Sequence, residues 1–345
     1  MTNLIGLTQD QLYEVVRELG EAKFRGKQIY EWVYKHRTPS IDHMTNLPKD
    51  TREKLKEKYT IEHIKIEKIL IDEKDETHKF LFSLNDQNTI EGVLMKYKYG
   101  YALCVSTQVG CKMGCTFCAS TLEGIVRSLT SGEIIDQIMV VENHFQIRIS
   151  NVVLMGSGEP LDNYDEVLKF IYNVNNSNGI NIGQRHLSLS TCGIVPKIYD
   201  LAKENLQINL SISLHGSNDF IRSKMMPINK KYPLEQLIKA CKFYIEKTGR
   251  RISFEYSMVN GVNDKIEHAK ELEALLKGLN CHVNLIPVNE IKERDFIKSS
   301  KDNIIRFSRY LNDIGVPTTI RRELGSSINA ACGQLRRNHT EKPKG

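Results

Sequence analysis

The stretch Cys111-Lys112-Met113-Gly114-Cys115-Thr116-Phe117-Cys118 constrains this chain more than any other. Its three cysteines stand in the pattern C-x3-C-x2-C. With 8 Cys in 345 residues, composition alone yields such a triplet about 0.004 times per chain. Three thiolates on one short loop suit a soft metal centre. A structural zinc site is closed by four ligands, and no fourth Cys or His stands close by in sequence, so zinc here needs a distant ligand. A [4Fe–4S] cluster normally takes four Cys. Three leave one iron open to a small molecule, which is a catalytic arrangement.

With the aromatic Phe117 before its last Cys, the triplet resembles the signature of the radical S-adenosylmethionine (SAM) superfamily. The resemblance implies that the amino and carboxylate groups of SAM chelate the open iron, and that one electron splits SAM to methionine and a 5′-deoxyadenosyl radical.

The surrounding pattern agrees. Thr8 is placed to cap a helix through Leu12, Val15, Val16 and Leu19, ended by Gly20. A second helix covers Phe24 to His36 and is expected to bury Phe24, Ile29, Trp32 and Val33. A third covers Lys49 to Lys58. Residues 66–107 hold four strand-like runs separated by Asp, Asn and Gly turns, an antiparallel meander leading into the cysteine loop. From Ser131 onward helix and strand patterns alternate to Ile320. Such alternation means β/α units on a parallel sheet. The fold class expected is α/β: a partial (β/α)6 radical-SAM barrel with an N-terminal helical module and a small β meander. The domains read as 1–65, an RNA-binding helical module; 66–100, a meander linker; 101–300, the radical SAM core; and 301–345, a C-terminal helix, strand and loop.

In parallel β/α architectures the chemistry sits at the C-terminal strand ends. Met155-Gly156-Ser157-Gly158-Glu159-Pro160 ends the second strand. Its glycines allow a ligand near the backbone, and Glu159 accepts from an ammonium or hydroxyl. It resembles the GGEP turn that holds the SAM amino group, with Ser157 in place of the first Gly. Ser190 ends the third strand, Ser213-Leu214-His215 the fourth, and Asn289 follows the sixth. Polar groups at one rim suit the ribose, carboxylate and adenine of SAM. Cys332 lies among small residues near the C-terminus and is a candidate nucleophile. Cys192, Cys241 and Cys281 read as buried small hydrophobes.

No run of 18 apolar residues predicts a membrane span, and Met1 to Asp10 shows no signal peptide. The cysteine usage fits a reducing cytosol, so a cytoplasmic location is expected. A net charge of +6 permits an RNA partner without requiring one.

Matching stretches over nearly the whole chain resemble one family closely, the RlmN family of bacterial adenine-C2 methyltransferases. They include Phe24-Arg25-Gly26-Lys27-Gln28-Ile29, Met44-Thr45-Asn46-Leu47, Cys104 to Cys111, Met226-Pro227-Ile228-Asn229, Gly261-Val262-Asn263-Asp264, and Arg321-Arg322 through Ala331-Cys332-Gly333-Gln334-Leu335. The resemblance implies 23S rRNA and tRNA as substrates and a two-stage transfer. Cys111, Cys115 and Cys118 hold the cluster. One SAM methylates Cys332; the radical from a second SAM takes a hydrogen from that methyl, and the methylene radical adds to adenine C2. Cys104 then attacks the Cys332 sulfur, forming a disulfide and releasing product, with Glu91 as proton acceptor. Gly158, Glu159, Ser190, Ser213, Leu214, His215 and Asn289 contact SAM. A flavodoxin is the expected electron donor by analogy with the superfamily. RNA phosphates are expected on the helical module (Lys23, Arg25, Lys27, Lys35, Arg37), the meander, Arg321-Arg322 and the tail (Arg336, Arg337, Lys342, Lys344). The alternative is the Cfr-like C8 methyltransferase. From another class, the rival is a non-catalytic RNA-binding protein with a structural metal.

Overall fold

A computed structural model describes residues 1–289 and 295–328. Cys332 and the tail residues Arg336, Arg337, Lys342 and Lys344 lie outside the described residues.

The chain opens with β1 (Thr2–Asn3), α1 (Gln9–Glu18), α2 (Phe24–Tyr34), α3 (Lys49–Lys58) and β2 (Tyr59–Thr60), with β1 and β2 paired in parallel. Thr8 caps α1 in a reciprocal capping box with Gln11, satisfying two orphan N–H groups. The buried stripe of α2 is Gly26, Ile29, Tyr30, Val33 and Tyr34. Phe24 is instead 56% exposed, with the Arg25 guanidinium over its ring. It stands at the first helical position, off the i, i+3, i+4 stripe. Trp32 is only partly buried. At Gly26 a Cβ would fall 2.9 Å from the Leu12 carbonyl, so a bare Cα lets α1 and α2 touch.

Four antiparallel strands follow: β3 (Lys65–Asp72), β4 (Thr77–Ser83), β5 (Thr89–Tyr97) and β6 (Gly100–Cys104). A short hairpin, β7 (Gln108–Gly110) and β8 (Ile125–Ser128), brackets the cysteine loop. Then come α4 (Ser131–Phe145), β9 (Ile149–Leu154), α5 (Tyr164–Asn175), β10 (Leu187–Thr191), α6 (Val195–Lys203), β11 (Asn209–Ser213), α7 (Asp219–Met225), α8 (Leu234–Thr248), β12 (Ile252–Met258), α9 (Ile266–Leu276), β13 (Cys281–Pro287), α10 (Lys301–Asp313) and β14 (Thr318–Ile320).

One sheet holds ten of these strands, in the order β14-β13-β12-β11-β10-β9-β6-β5-β4-β3. Strands β6 and β9 to β14 run parallel. The helices between them make six β/α units, the expected partial barrel. The meander continues the same sheet through β5 and β6. Residues such as Leu189, Leu210, Ile212, Phe254, Val283 and Leu285 are buried in the main hydrophobic core. The helical module docks on this core: Tyr30 donates to the Asn173 carbonyl, and Asp136 of α4 accepts from the Ile64 N–H at 2.7 Å. Among the described residues no helix is long and apolar enough to cross a membrane.

Candidate active site

The opposite face of the parallel sheet is polar. Register aligns Ser190, Ser211, Ser253 and His282 in one row across β10 to β13. The next row is Ser213, Glu255, Asn284 and Thr319. Fully covered parallel strands ordinarily read as continuous apolar runs. Here alternation in β10 to β12 gives the sheet one polar face. Glu255 is buried there, takes a 2.8 Å hydrogen bond from the Asn284 amide, and has its carboxyl pushed up by burial. Ser211, Ser253, Glu255 and Asn284 carry no motif; the period-two pattern of Leu187-Ser188-Leu189-Ser190 and Cys281-His282-Val283-Asn284-Leu285 is the signal for this polar face.

The cysteine loop sits at the C-terminal end of this sheet. The hairpin closes its base, with the Cys111 N–H donating to the Gly124 carbonyl at 2.9 Å. The Thr116 N–H donates to the Met225 carbonyl at the end of α7, also at 2.9 Å. The Phe117 ring meets the His215 ring edge-on, with centroids 4.7 Å apart. These three anchors tie the loop to β7–β8, α7 and the end of β11. Cys111 and Cys115 are buried and Cys118 is half-buried. Burial pushes the Cys111 thiol up to about 11 and the Cys115 thiol to about 12, and a bound cationic centre would favour their thiolate forms. Among the described residues no three His, Cys, Asp or Glu side chains are arranged to hold one metal ion. A zinc ion needs its ligands converging on a single point, whereas in a [4Fe–4S] cluster each thiolate binds a different iron. Three thiolates on one loop fit a [4Fe–4S] cluster with one iron left open.

The Gly156–Pro160 turn lies beside the loop. Its glycines have a packing use as well. A Cβ at Gly156 would fall 2.7 Å from the Val105 carbonyl, and one at Gly158, where φ is +108°, 2.7 Å from the Gln108 nitrogen. They admit the backbone of residues 105–108. Gln108, fully buried, joins the two motifs through its side chain: Oε1 accepts from the Glu159 N–H at 3.0 Å and Nε2 donates to Asp162 at 2.9 Å. Glu159 is buried, and its carboxylate accepts from the N–H groups of Leu161 at 3.0 Å and Cys192 at 2.7 Å. Burial pushes its carboxyl upward.

Ser190 and Ser213 lie half-buried on the polar face, and Leu214 and His215 are buried just beyond β11. The His215 Nδ1 accepts from the Ser257 N–H at 2.9 Å, which puts its proton on Nε2. Burial, helped by the Arg222 charge, lowers its pKa to about 3, so the ring is neutral. Asn289 follows β13 and is exposed. Cys104 ends β6 half-buried, opposite Val93. Glu91, two residues before Val93, projects on the same face. It is no surface carboxylate: it is buried and pairs with the buried Lys79 at 3.0 Å. Cys192, Cys241 and Cys281 are buried, as expected.

On the helical module Lys23, Lys27 and Lys35 are exposed. Arg37 instead pairs with the buried Glu142 of α4, so it anchors the module.

Comparison with known proteins agrees with this geometry. Residues 105–276 match the model of the radical SAM superfamily, and residues 2–61 match the ribosomal RNA large subunit methyltransferase N-terminal domain. The chain is 54% identical over 342 residues to the probable dual-specificity RNA methyltransferase RlmN of Thermoanaerobacter sp. (strain X514), covering 99% of this chain and 100% of that one. It is 56% identical over 341 residues to the protein of the same name from Clostridium tetani, covering 99% and 97%. The crystal structure of a radical SAM methyltransferase from Sphaerobacter thermophilus superposes with a TM-score of 0.92 at 39% identity, covering 97% of this chain and 99% of that one. Proteins of this superfamily use a [4Fe–4S] cluster and SAM. The chain belongs to the RlmN family of radical SAM methyltransferases.

Proposed function

We propose that this chain, a radical SAM RNA methyltransferase, methylates C2 of an adenosine in 23S rRNA and in tRNA, with Cys332 as the methyl carrier. The observation that carries the reading is its full-length likeness to relatives named dual-specificity RNA methyltransferase RlmN. Adenine C2 is electron-poor and does not attack an electrophilic methyl, so the carbon demands radical addition. When bound, the cluster and SAM supply that radical chemistry.

The chain's own residues bind and orient. Cys111, Cys115 and Cys118 hold the cluster. Glu159, fixed by two backbone N–H groups, accepts from the SAM ammonium. Ser190 and Ser213 offer hydroxyls from the polar sheet face, and neutral His215 donates through Nε2. Gly158, Leu214 and Asn289 complete the contacts. Cys104 resolves the adduct by pairing with Cys332, and Glu91 on the same face takes the proton. Lys23, Lys27 and Lys35 with Arg321 and Arg322, all exposed, offer cations to RNA phosphates. The adenine leaves its stack to reach the sheet face. Residues 1–65 serve as the RNA-binding module, 66–100 as the meander, 101–300 as the core and 301–345 as the segment carrying Cys332. A flavodoxin supplies the electron in the cytoplasm.

The test is RNA methylation by anaerobically reconstituted protein, read by nucleoside mass spectrometry, with the Cys332→Ala variant beside it. The reading requires 2-methyladenosine from the wild type and none from the variant. Product formation by Cys332→Ala sinks it.

A further inference from the structure

Arg222 lies on α7, 0% exposed. A cation so deeply buried is ordinarily paired with an acid. Arg222 forms no ion pair with any carboxylate among the described residues. Its Nε donates to the Leu214 carbonyl at 3.2 Å, Nη1 to the Asn229 side chain at 2.8 Å, and Nη2 to the carbonyls of Cys192 at 2.7 Å and Ser213 at 3.3 Å. All four acceptors are neutral. Asp219, the carboxylate that acts on it, is exposed and stands behind Asn229.

The fold gives this cation room. A Cβ at Gly193 would stand 3.3 Å from its Nη2, and one at Gly216 2.6 Å from its backbone nitrogen. Its surroundings are the floor of the cysteine loop. Cys192, whose carbonyl it holds, packs in one apolar cluster with Cys115, Met113, Phe117 and Cys118. Three residues along α7, the Met225 carbonyl anchors Thr116. The Arg222 charge is felt at the Cys115 thiol.

We infer that Arg222 is the built-in counter-cation of the cluster bound by Cys111, Cys115 and Cys118, and that its charge eases the one-electron reduction. The inference rests on the cluster assignment proposed above. Three thiolates around an oxidised [4Fe–4S] core carry one net negative charge, and two once an electron is added, with no bond made or broken. A fixed cation in a low-dielectric floor favours the more negative state, and local charge is among the factors that set cluster potentials. Because its hydrogen bonds go to Leu214, Asn229, Cys192 and Ser213, Arg222 is a positioning residue acting through the field.

The experiment is an EPR-monitored redox titration of the anaerobically reconstituted full chain, with dithionite as reductant, on wild type, Arg222→Lys, Arg222→Gln and Asn229→Asp. Iron and sulfide content is measured first. Arg222→Lys keeps the charge and should titrate with the wild type. Arg222→Gln removes it, and the equilibrium for adding the electron should fall at least tenfold, about 59 mV for a one-electron couple. Asn229→Asp leaves Arg222 in place but sets a carboxylate against it, and should move the potential the same way. This last variant keeps the idea testable if Arg222→Gln does not fold. A wild-type potential in Arg222→Gln or Asn229→Asp, or an equal drop in Arg222→Lys, would overturn the inference. Wild-type protein that binds no iron and sulfide, or a Cys111/Cys115/Cys118 triple alanine variant that still binds them, would instead overturn the cluster assignment.

Discussion

Replacing Lys79 by Met removes one half of a pair that has almost no access to water. The side chains of Lys79 and Glu91 are 1% and 7% exposed, with Nζ and Oε2 3.0 Å apart. They sit diagonally on β4 and β5, where Lys79 faces Val93 and Leu81 faces Glu91. Breaking a buried pair from one side is strongly destabilising, at a cost of about 3–5 kcal/mol. At roughly 2 °C per kcal/mol for a chain of this size, the melting midpoint should fall by about 6–10 °C. Removing both charges is a different perturbation. In Lys79→Met/Glu91→Met both charges of the pair are gone, and apolar replacement of a buried pair is often near neutral, so most of the loss should return. The assay is differential scanning calorimetry on anaerobically prepared protein, arranged as a double-mutant cycle. If Lys79→Met melts with the wild type, or the double variant is no better than the single, the pair does not carry the stability argued for it.

Three other expectations follow from the site. Cys115→Ala should lose most of its iron and sulfide while far-ultraviolet circular dichroism stays native; full metal content would contradict the ligand assignment. Gly158→Ala combines a φ of +108° with a clash at the Gln108 backbone and should cost about 2–6 kcal/mol. It should also weaken SAM binding in calorimetric titrations, and unchanged affinity would detach the turn from SAM. His215 is held at about 3 in the fold against about 6.5 unfolded. The unfolded chain therefore binds the extra proton between those values, and stability falls as pH drops from about 6.5 towards 3. His215→Asn should flatten that part of the stability-versus-pH curve, and an unchanged slope would exclude His215 as its source.

What could be read from the sequence was local or periodic. The Thr8 cap, the three-cysteine spacing and the alternation of strand and helix from Ser131 onward each depend on neighbours in sequence, and the cap and the alternation have their counterparts in the structure. The misses depend on partners far along the chain. Helix α7 is only seven residues long and ends just before Met226-Pro227, so its pattern is too short to register. Strand β7 meets β8 across the whole cysteine loop, and so the hairpin has no turn signal. Phe24 looked like a core residue by type but lies outside the α2 stripe. At Gly156 and Gly158 the close approach of residues 105–108 is a contact with a segment some fifty positions away, which the turn's own residues do not announce. No sequence motif marks Lys79; the register of β4 and β5 sets it beside Glu91. The polar sheet face was legible in principle, because alternation in parallel strands is itself unusual.

The claim most directly open to measurement is the chemical identity of the product. Total rRNA and tRNA would be digested to nucleosides and compared with authentic standards by mass spectrometry, from cells lacking this gene and from the same cells regaining it. The account predicts that 2-methyladenosine disappears from both RNA pools and returns in both on complementation. Loss and return of 8-methyladenosine in its place, or no change in either pool, would contradict it.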